Sequence, residues 1–310
     1  MSLADKLFVD MCKDILENGT DTKGEKVRPK WEDGTPAYTI KKFGVVNRYD
    51  LRKEFPAITL RRTALKSCMD EILWIYQKKS NNIKDLNSHI WDEWADENGS
   101  IGKAYGYQVR QRYIHHKDSF DNKLLNKFNP AECPSFSIRA ISNSEMEVFL
   151  DQIDTVLYDL KHNPFSRRIM MNMYNFQDLH EMNLYPCAYS ITFNVTNENG
   201  KLVLNAILNQ RSQDVLEANN WNVCQYGILL MMIAQVSNME AGELIHVISD
   251  CHLYDKHIPI IKELITREQY PAPKVRLNPD IKNFYDFKVD DLIVEDYVTG
   301  PQVKNIPIAI

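Results

Sequence analysis

Leu3, Leu7, Phe8, Met11, Ile15 and Leu16 recur at three- and four-residue steps, which predicts a helix over 3–17 with one buried face. Asn18-Gly19 ends it. Residues 20–36 lose the periodicity, carry Gly24, Pro29, Gly34 and Pro36, and read as a loop that contains Arg28. An extended stretch over 37–50 follows. A second apolar helix runs from Thr63 to Lys78, with Leu65, Met69, Ile72, Leu73, Ile75 and Tyr76 toward the core. Trp91-Asp92-Glu93-Trp94 opens an aromatic and acidic patch, and residues 115–136 read as a solvent-facing insert. Ser144 with Glu147 three residues later has the form of a capping box and predicts a helix from 144 to 161.

The second half shifts toward period two. Ile169 to Tyr174 is a candidate strand, and Ser190–Thr196 and Leu202–Leu208 alternate on either side of Asn199-Gly200. That dipeptide is a strong hairpin signal. Residues 222–238 are almost wholly apolar and predict a helix buried all round. A strand over 244–249, a helix over 258–266 and short strands after Pro271 complete the pattern. With no repeat and no linker-like break, the chain reads as a single α+β domain, 1–310, with a mixed sheet packed against helices.

Charge and composition narrow the function classes. Lys and Arg number 37 against 42 Asp and Glu, a net of −5, so any anion site is local rather than a global field for nucleic acid. No apolar run is long enough to span a bilayer, and the N-terminal stretch is too charged for a signal peptide. The 6 cysteines form no CxxC pair, which argues against a zinc or disulfide framework. A cytoplasmic location and no metal are the expectations.

Cys187, in Tyr185-Pro186-Cys187-Ala188, is the candidate nucleophile. A free cysteine is more often buried and inert, but a nearby arginine favours its thiolate. Ser166-Arg167-Arg168 and Gln210-Arg211-Ser212-Gln213-Asp214 offer forked cations and hydroxyls suited to a phosphate. Asn222 opens the apolar helix, either as an N-cap or as a reader of a pyrimidine edge. His252 and Tyr254, two apart on a strand, face the same way and suit a sugar hydroxyl. Glu71, between Met69 and Ile72, is a candidate buried acid for proton handling.

In order along the chain, Trp91-Asp92-Glu93-Trp94-Ala95-Asp96-Glu97-Asn98-Gly99, Ser166-Arg167-Arg168-Ile169, Tyr185-Pro186-Cys187, Gln210 to Val215, Trp221-Asn222, His252-Leu253-Tyr254 and Pro307-Ile308-Ala309-Ile310 resemble the thymidylate synthases over nearly the whole length. The resemblance implies reductive methylation of dUMP to dTMP with methylenetetrahydrofolate, in an obligate homodimer whose sheets form the interface. It implies Cys187 as nucleophile at the uracil six-position. Arg28, Arg211 and Ser212 would hold the phosphate, and Arg167 and Arg168 would reach it from the other subunit. Asn222 would read the uracil edge, and His252 and Tyr254 the deoxyribose. Glu71 and Tyr105 would handle protons. Asp214, Trp91, Trp94, Ala309 and Ile310 would meet the folate.

The chain departs from the family at Ala188, where histidine usually follows the cysteine, so a hydrogen-bond network near the uracil carbonyl must be rebuilt or filled by water. It also carries Glu217-Ala218-Asn219-Asn220-Trp221 where Gly and Pro usually precede the asparagine, and Cys251 for a usual threonine. Two rival functions share the scaffold: a pyrimidine nucleotide hydroxymethylase, disfavoured by Trp91 and Asn222, and a catalytically dead nucleotide-binding regulator, disfavoured by intact Cys187, Glu71, Asn222 and Arg211.

Overall fold

The computed structural model of the protein describes residues 1–116, 132–133 and 136–310. Most of the insert expected at 115–136 therefore lies outside the described residues. The first half holds α1 (Leu3–Asn18), β1 (Thr20–Asp21), β2 (Thr39–Asp50), α2 (Leu65–Tyr76), α3 (Gly106–Val109) and β3 (Arg110–His116). Next come β4 (Ser137–Ala140), β5 (Glu145–Asp151), α4 (Gln152–His162) and β6 (Met170–Asn172). The second half holds β7 (Ala188–Glu198), β8 (Lys201–Asp214), α5 (Asn219–Val236), β9 (Glu240–Tyr254), α6 (Ile258–Leu264), β10 (Lys274–Leu277) and β11 (Leu292–Glu295).

The central element is a 6-stranded sheet in the order β1-β2-β9-β8-β7-β6. It is mixed: β8 and β9 run parallel, joined by α5, and every other pairing is antiparallel. Its register sorts side chains by face. The row Asn47, His246, Leu208, Ile191, Met171 crosses five strands and is buried throughout. The adjacent row Arg48, Ile245, Ile207, Thr192, Met170 faces outward, with Ile207 39% and Met170 48% exposed. The inner face is covered by α5, whose side chains are apolar nearly all round, and by α2 packed beside it. The structure thus bears out the mixed sheet and the helices expected over 3–17 and 63–78.

The expected helix from 144 to 161 is a correction. Its first half is β5, hydrogen-bonded to β3 on one side and β4 on the other. Ser144 caps nothing. Ser142 Oγ accepts from the Ser144 and Glu145 amides and makes a turn there. Met146, Val148 and Leu150 alternate, and the buried Glu147 pairs with Arg139 directly across the ladder. The helix starts only at Gln152, where the Asp151 carboxylate accepts from Asp154 N at 3.0 Å. Two adjacent strands outcompeted a local capping signal.

The β7–β8 hairpin forms as its turn dipeptide predicts. Asn199 and Gly200 both have positive φ, 53° and 87°, matching the twist of the flanking strands. A Cβ added at Gly200 meets nothing within 4 Å, so Gly200→Ala carries the backbone penalty alone. That substitution is expected to lower folding stability by about 1 kcal/mol. Urea denaturation midpoints measure it, and an unchanged midpoint would mean that the turn does not hold this conformation.

Candidate active site

Cys187 sits at the mouth of β7, behind a buried proline. The β7–β8 register shifts between Ala188 and Ser190, a bulge that bends the strand beside the thiol. Arg211 of β8 fixes this turn. Its Nε donates to Pro186 O at 3.0 Å and its Nη2 to Tyr185 O at 2.7 Å, while its backbone N–H donates to Cys187 O at 2.9 Å. Nη2 also lies 3.7 Å from the Cys187 sulfur. Burial pushes the thiol up, and Arg211 and then Arg28 pull it back without cancelling that rise. The expectation of a thiol activated by arginine is thus met in direction only. In the free site the sulfur is held protonated.

The Cys187 backbone N–H donates to Tyr105 Oη at 3.1 Å. Tyr105 is buried and enters α3 with φ 42°, a conformation costly for a non-glycine residue. Burial, then the Cys187 sulfur beside it, raises its phenol well above the usual range, so it stays protonated.

Glu71 on α2 is fully enclosed. Its two oxygens accept from two indoles, Trp91 Nε1 at 2.9 Å and Trp221 Nε1 at 2.7 Å. Burial raises its pKa, and Trp221, Trp91 and Gln225 oppose that rise only in part. Trp91 is therefore half of the acid's cradle as well as an aromatic wall: its ring meets Trp94 at 5.7 Å and Tyr105 at 5.0 Å.

Asn222 is no N-cap. The helix begins three residues earlier at Asn219, and Ala218 occupies the cap. Asn222 Oδ1 accepts from Gln210 Nε2 at 3.0 Å, and its Nδ2 donates to Gln225 Oε1 at 3.0 Å. Gln210 Oε1 in turn lies 2.8 Å from His246 Nε2. Ala188 pairs with Gln210 across the β7–β8 ladder, so the Gln210–His246–Asn222 hydrogen bonds lie directly across from its methyl.

His252 and Tyr254 share a face as expected, with ring centroids 5.0 Å apart. His252 Nδ1 is 2.7 Å from Asp250 Oδ1, which fixes the ring. Asp214 accepts from Leu216 N at 2.9 Å and Glu217 N at 3.2 Å, closing the turn into α5. Burial alone would raise its carboxyl, but His257 and then His252 hold it below the usual range. His257, fully buried, lies 3.5 Å from Asp214 Oδ2 and donates through Nε2 to Pro307 O at 2.7 Å. Burial would lower its pKa, yet Asp214 raises it overall. The tail also pairs with the loop of Arg28: Lys30 N donates to Ile310 O at 2.7 Å and Ile310 N to Lys30 O at 2.9 Å. Ala309 and Ile310 thus stand against that loop.

Arg28 is exposed, yet its charge reaches both Cys187 and Tyr254. Arg167 and Arg168 differ. They are exposed ahead of the edge strand β6, exert no such effect on Cys187, and their side chains have no partner among the described residues. Ser212 is half-buried beside Arg211.

Sequence reasoning missed several groups. His246 and Gln210 were detectable as polar residues at core positions of alternating strands, and His257 by its place after His252-Leu253-Tyr254. A cavity of about 350 Å³ lined by Arg61, Arg62, Thr63, Glu217, Asn220 and Trp221 gave no sequence signal. Burial and then Asp214 push Glu217 up to about 7. Among the described residues, no group of three or more His, Cys, Asp or Glu is arranged to hold a metal, and no helix is long and apolar enough to cross a membrane.

The chain is similar to known proteins along nearly its whole length. The thymidylate synthase family profile matches residues 6–309. A thymidylate synthase of Bacillus licheniformis is 40% identical over 307 residues, 98% of each chain. Thymidylate synthase 1 of Bacillus subtilis (strain 168) is 38% identical over 307 residues, again 98% of each. Among solved structures, a thermostable thymidylate synthase A from Bacillus subtilis superposes with a TM-score of 0.80 at 37% identity, covering 99% of both chains. With the family profile spanning almost every residue, the chain belongs to the thymidylate synthase family.

Proposed function

We infer that the protein converts dUMP to dTMP by reductive methylation, through a covalent adduct between Cys187 and the six-position of the uracil. The observation that carries this reading is the Cys187–Arg211 pair at 3.7 Å, a thiol beside a fixed cation at a strand mouth. The phosphate dianion is assigned to Arg211, Ser212 and Arg28, with Arg167 and Arg168 contributed by the partner subunit. Asn222 reads the uracil edge, and His252 with Tyr254 binds the deoxyribose hydroxyl.

The steps are those that membership of the family implies. Sγ gives its proton to water and adds to C6, and the C5–C6 π pair moves to C5. After C5 gains its new carbon, its proton leaves to water beside Tyr105 Oη, whose phenol is itself protonated and orients that water. Expulsion of Sγ, which follows reduction of the new carbon to a methyl group, restores the C5–C6 double bond and returns the bonding pair to sulfur. Glu71, raised by burial, passes protons to and from the uracil carbonyl side through water. Methylenetetrahydrofolate supplies the one-carbon unit and the hydride and is released as dihydrofolate. The residues present fit it: Trp91 and Trp94 give an aromatic wall, and Asp214 is an ionised acceptor for the pterin. Ala309 and Ile310 close over it, and the Arg61–Arg62 cavity suits its anionic end.

A homodimer built on the outer face of the sheet belongs to the same reading. That face carries Val46, Ile207 and Met170, 53%, 39% and 48% exposed, in adjacent rows across the strands. Arg167 and Arg168 lie at its β6 edge, free to cross to a neighbour. A single catalytic domain over 1–310 and a cytoplasmic location complete the proposal, the latter resting on six free cysteines.

With dUMP and methylenetetrahydrofolate, dihydrofolate and dTMP should form in equal amounts, and Cys187→Ser should cut turnover by about a thousandfold or more while dUMP still binds. Spectrophotometric assay and nucleotide titration check both; tetrahydrofolate with hydroxymethyl-dUMP would overturn the reading. Asn222→Asp should shift relative affinity from dUMP toward dCMP by about tenfold, read by competition binding. Mixing Arg167→Ala/Arg168→Ala protein with Cys187→Ser protein should restore about a quarter of native activity, because half of the dimers then own one intact site. No gain on mixing would mean that the arginines serve their own subunit.

A further inference from the structure

We propose that His246 is a specificity-determining positioning residue, which through Gln210 fixes the direction of the Asn222 amide and so decides which pyrimidine edge the site accepts. The inference rests on the reading of Asn222 as the base reader and goes beyond it.

The argument starts at an atom with no choice. The Ser212 backbone carbonyl can only accept, and Gln210 Nε2 donates to it at 3.1 Å. The same nitrogen gives its other hydrogen to Asn222 Oδ1 at 3.0 Å. Gln210 Oε1 must then face the other way, toward His246 Nε2 at 2.8 Å. An amide oxygen cannot donate, so His246 Nε2 carries the hydrogen. The ring is fully buried, and burial pushes its pKa down to about 3, which keeps it neutral with Nδ1 bare. Nδ1 has no partner among the described residues. The bare nitrogen leaves a lone pair unmet rather than an N–H, the less costly defect.

The direction continues outward. With Oδ1 toward Gln210, Asn222 Nδ2 donates to Gln225 Oε1 at 3.0 Å. Each polar atom of Asn222 keeps one unused valence, a lone pair on Oδ1 and an N–H on Nδ2. Uracil offers an N3–H donor and an O4 acceptor, and cytosine offers the reverse. A free asparagine serves either base, because rotating its amide by half a turn exchanges donor and acceptor. Asn222 loses that freedom. Inverting it requires inverting Gln210, which would set oxygen against the Ser212 carbonyl and either NH₂ against the His246 N–H or, in the other tautomer, an N–H at the buried Nδ1 with no acceptor. Removing the imidazole donor leaves only the first of those two conflicts.

The test compares His246→Phe, which fills the space without a donor, with His246→Gln, which returns an N–H near the Nε2 position. Dissociation constants for dUMP and for dCMP are measured on the full chain, with thermal unfolding as a check on folding. The Phe variant should narrow the preference for dUMP over dCMP by about tenfold, the scale of one buried hydrogen bond, and the Gln variant should restore it. An unchanged ratio in folded His246→Phe protein would overturn the proposal. So would nitrogen NMR of the native enzyme showing the hydrogen on His246 Nδ1, a readout that stands even if the Phe variant does not fold. If the native protein bound dUMP and dCMP equally, the base-reading role of Asn222 would itself fail, separately from the histidine.

Discussion

The site depends on the pleat of β8 being in register with both neighbours. Successive residues of a strand point to opposite faces, so Gln210 and Arg211 serve different ends from adjacent positions. Gln210 turns into the core and meets His246 and Asn222. Arg211 turns to the mouth and binds the carbonyls of Tyr185 and Pro186. Further along, Asp214 closes the turn into α5 and faces His257. A slip of one residue against β7 or β9 would exchange these roles at every position at once. The buried rows of five strands resist that slip, because it would turn Leu208, Ile191 and Met171 out to water.

Burial sets the chemistry of the groups that this frame holds. Cys187, Glu71 and Tyr105 are all pushed toward their neutral forms. The fixed positive charge stands at the rim, on Arg211 and Arg28. A low-dielectric interior with cations at its mouth strengthens each interaction with an incoming dianion. In the empty site burial outweighs those cations, so the thiol is favoured over the thiolate.

What the sequence disclosed follows the physics of each signal. The hairpin was legible because Asn199-Gly200 carries its conformation locally, and α5 because a wholly apolar run of that length has few alternatives. The 144–151 segment was misread because pairing with β3 and β4 is non-local, whereas the Ser144–Glu147 capping pattern is visible in a short window. Candidate site residues embedded in family motifs could be named one by one. Their mutual orientation could not be read: nothing in the letters says that Glu71 is shared by two indoles, or that His257 joins Asp214 to the tail. His246 escaped notice because a lone histidine in an apolar strand gains meaning only once Gln210 is seen beside it.

The amide relay has a bearing on how the site tolerates change. A hydrogen-bonded chain with a fixed sense cannot be altered at one link without conflict at the next, so the Ser212 carbonyl and the side chains of Gln210, His246, Asn222 and Gln225 respond to substitution as a unit. Ala188 contributes only a methyl across the ladder from Gln210, and the relay's imidazole comes from another strand, so the strand pairing itself carries the connection.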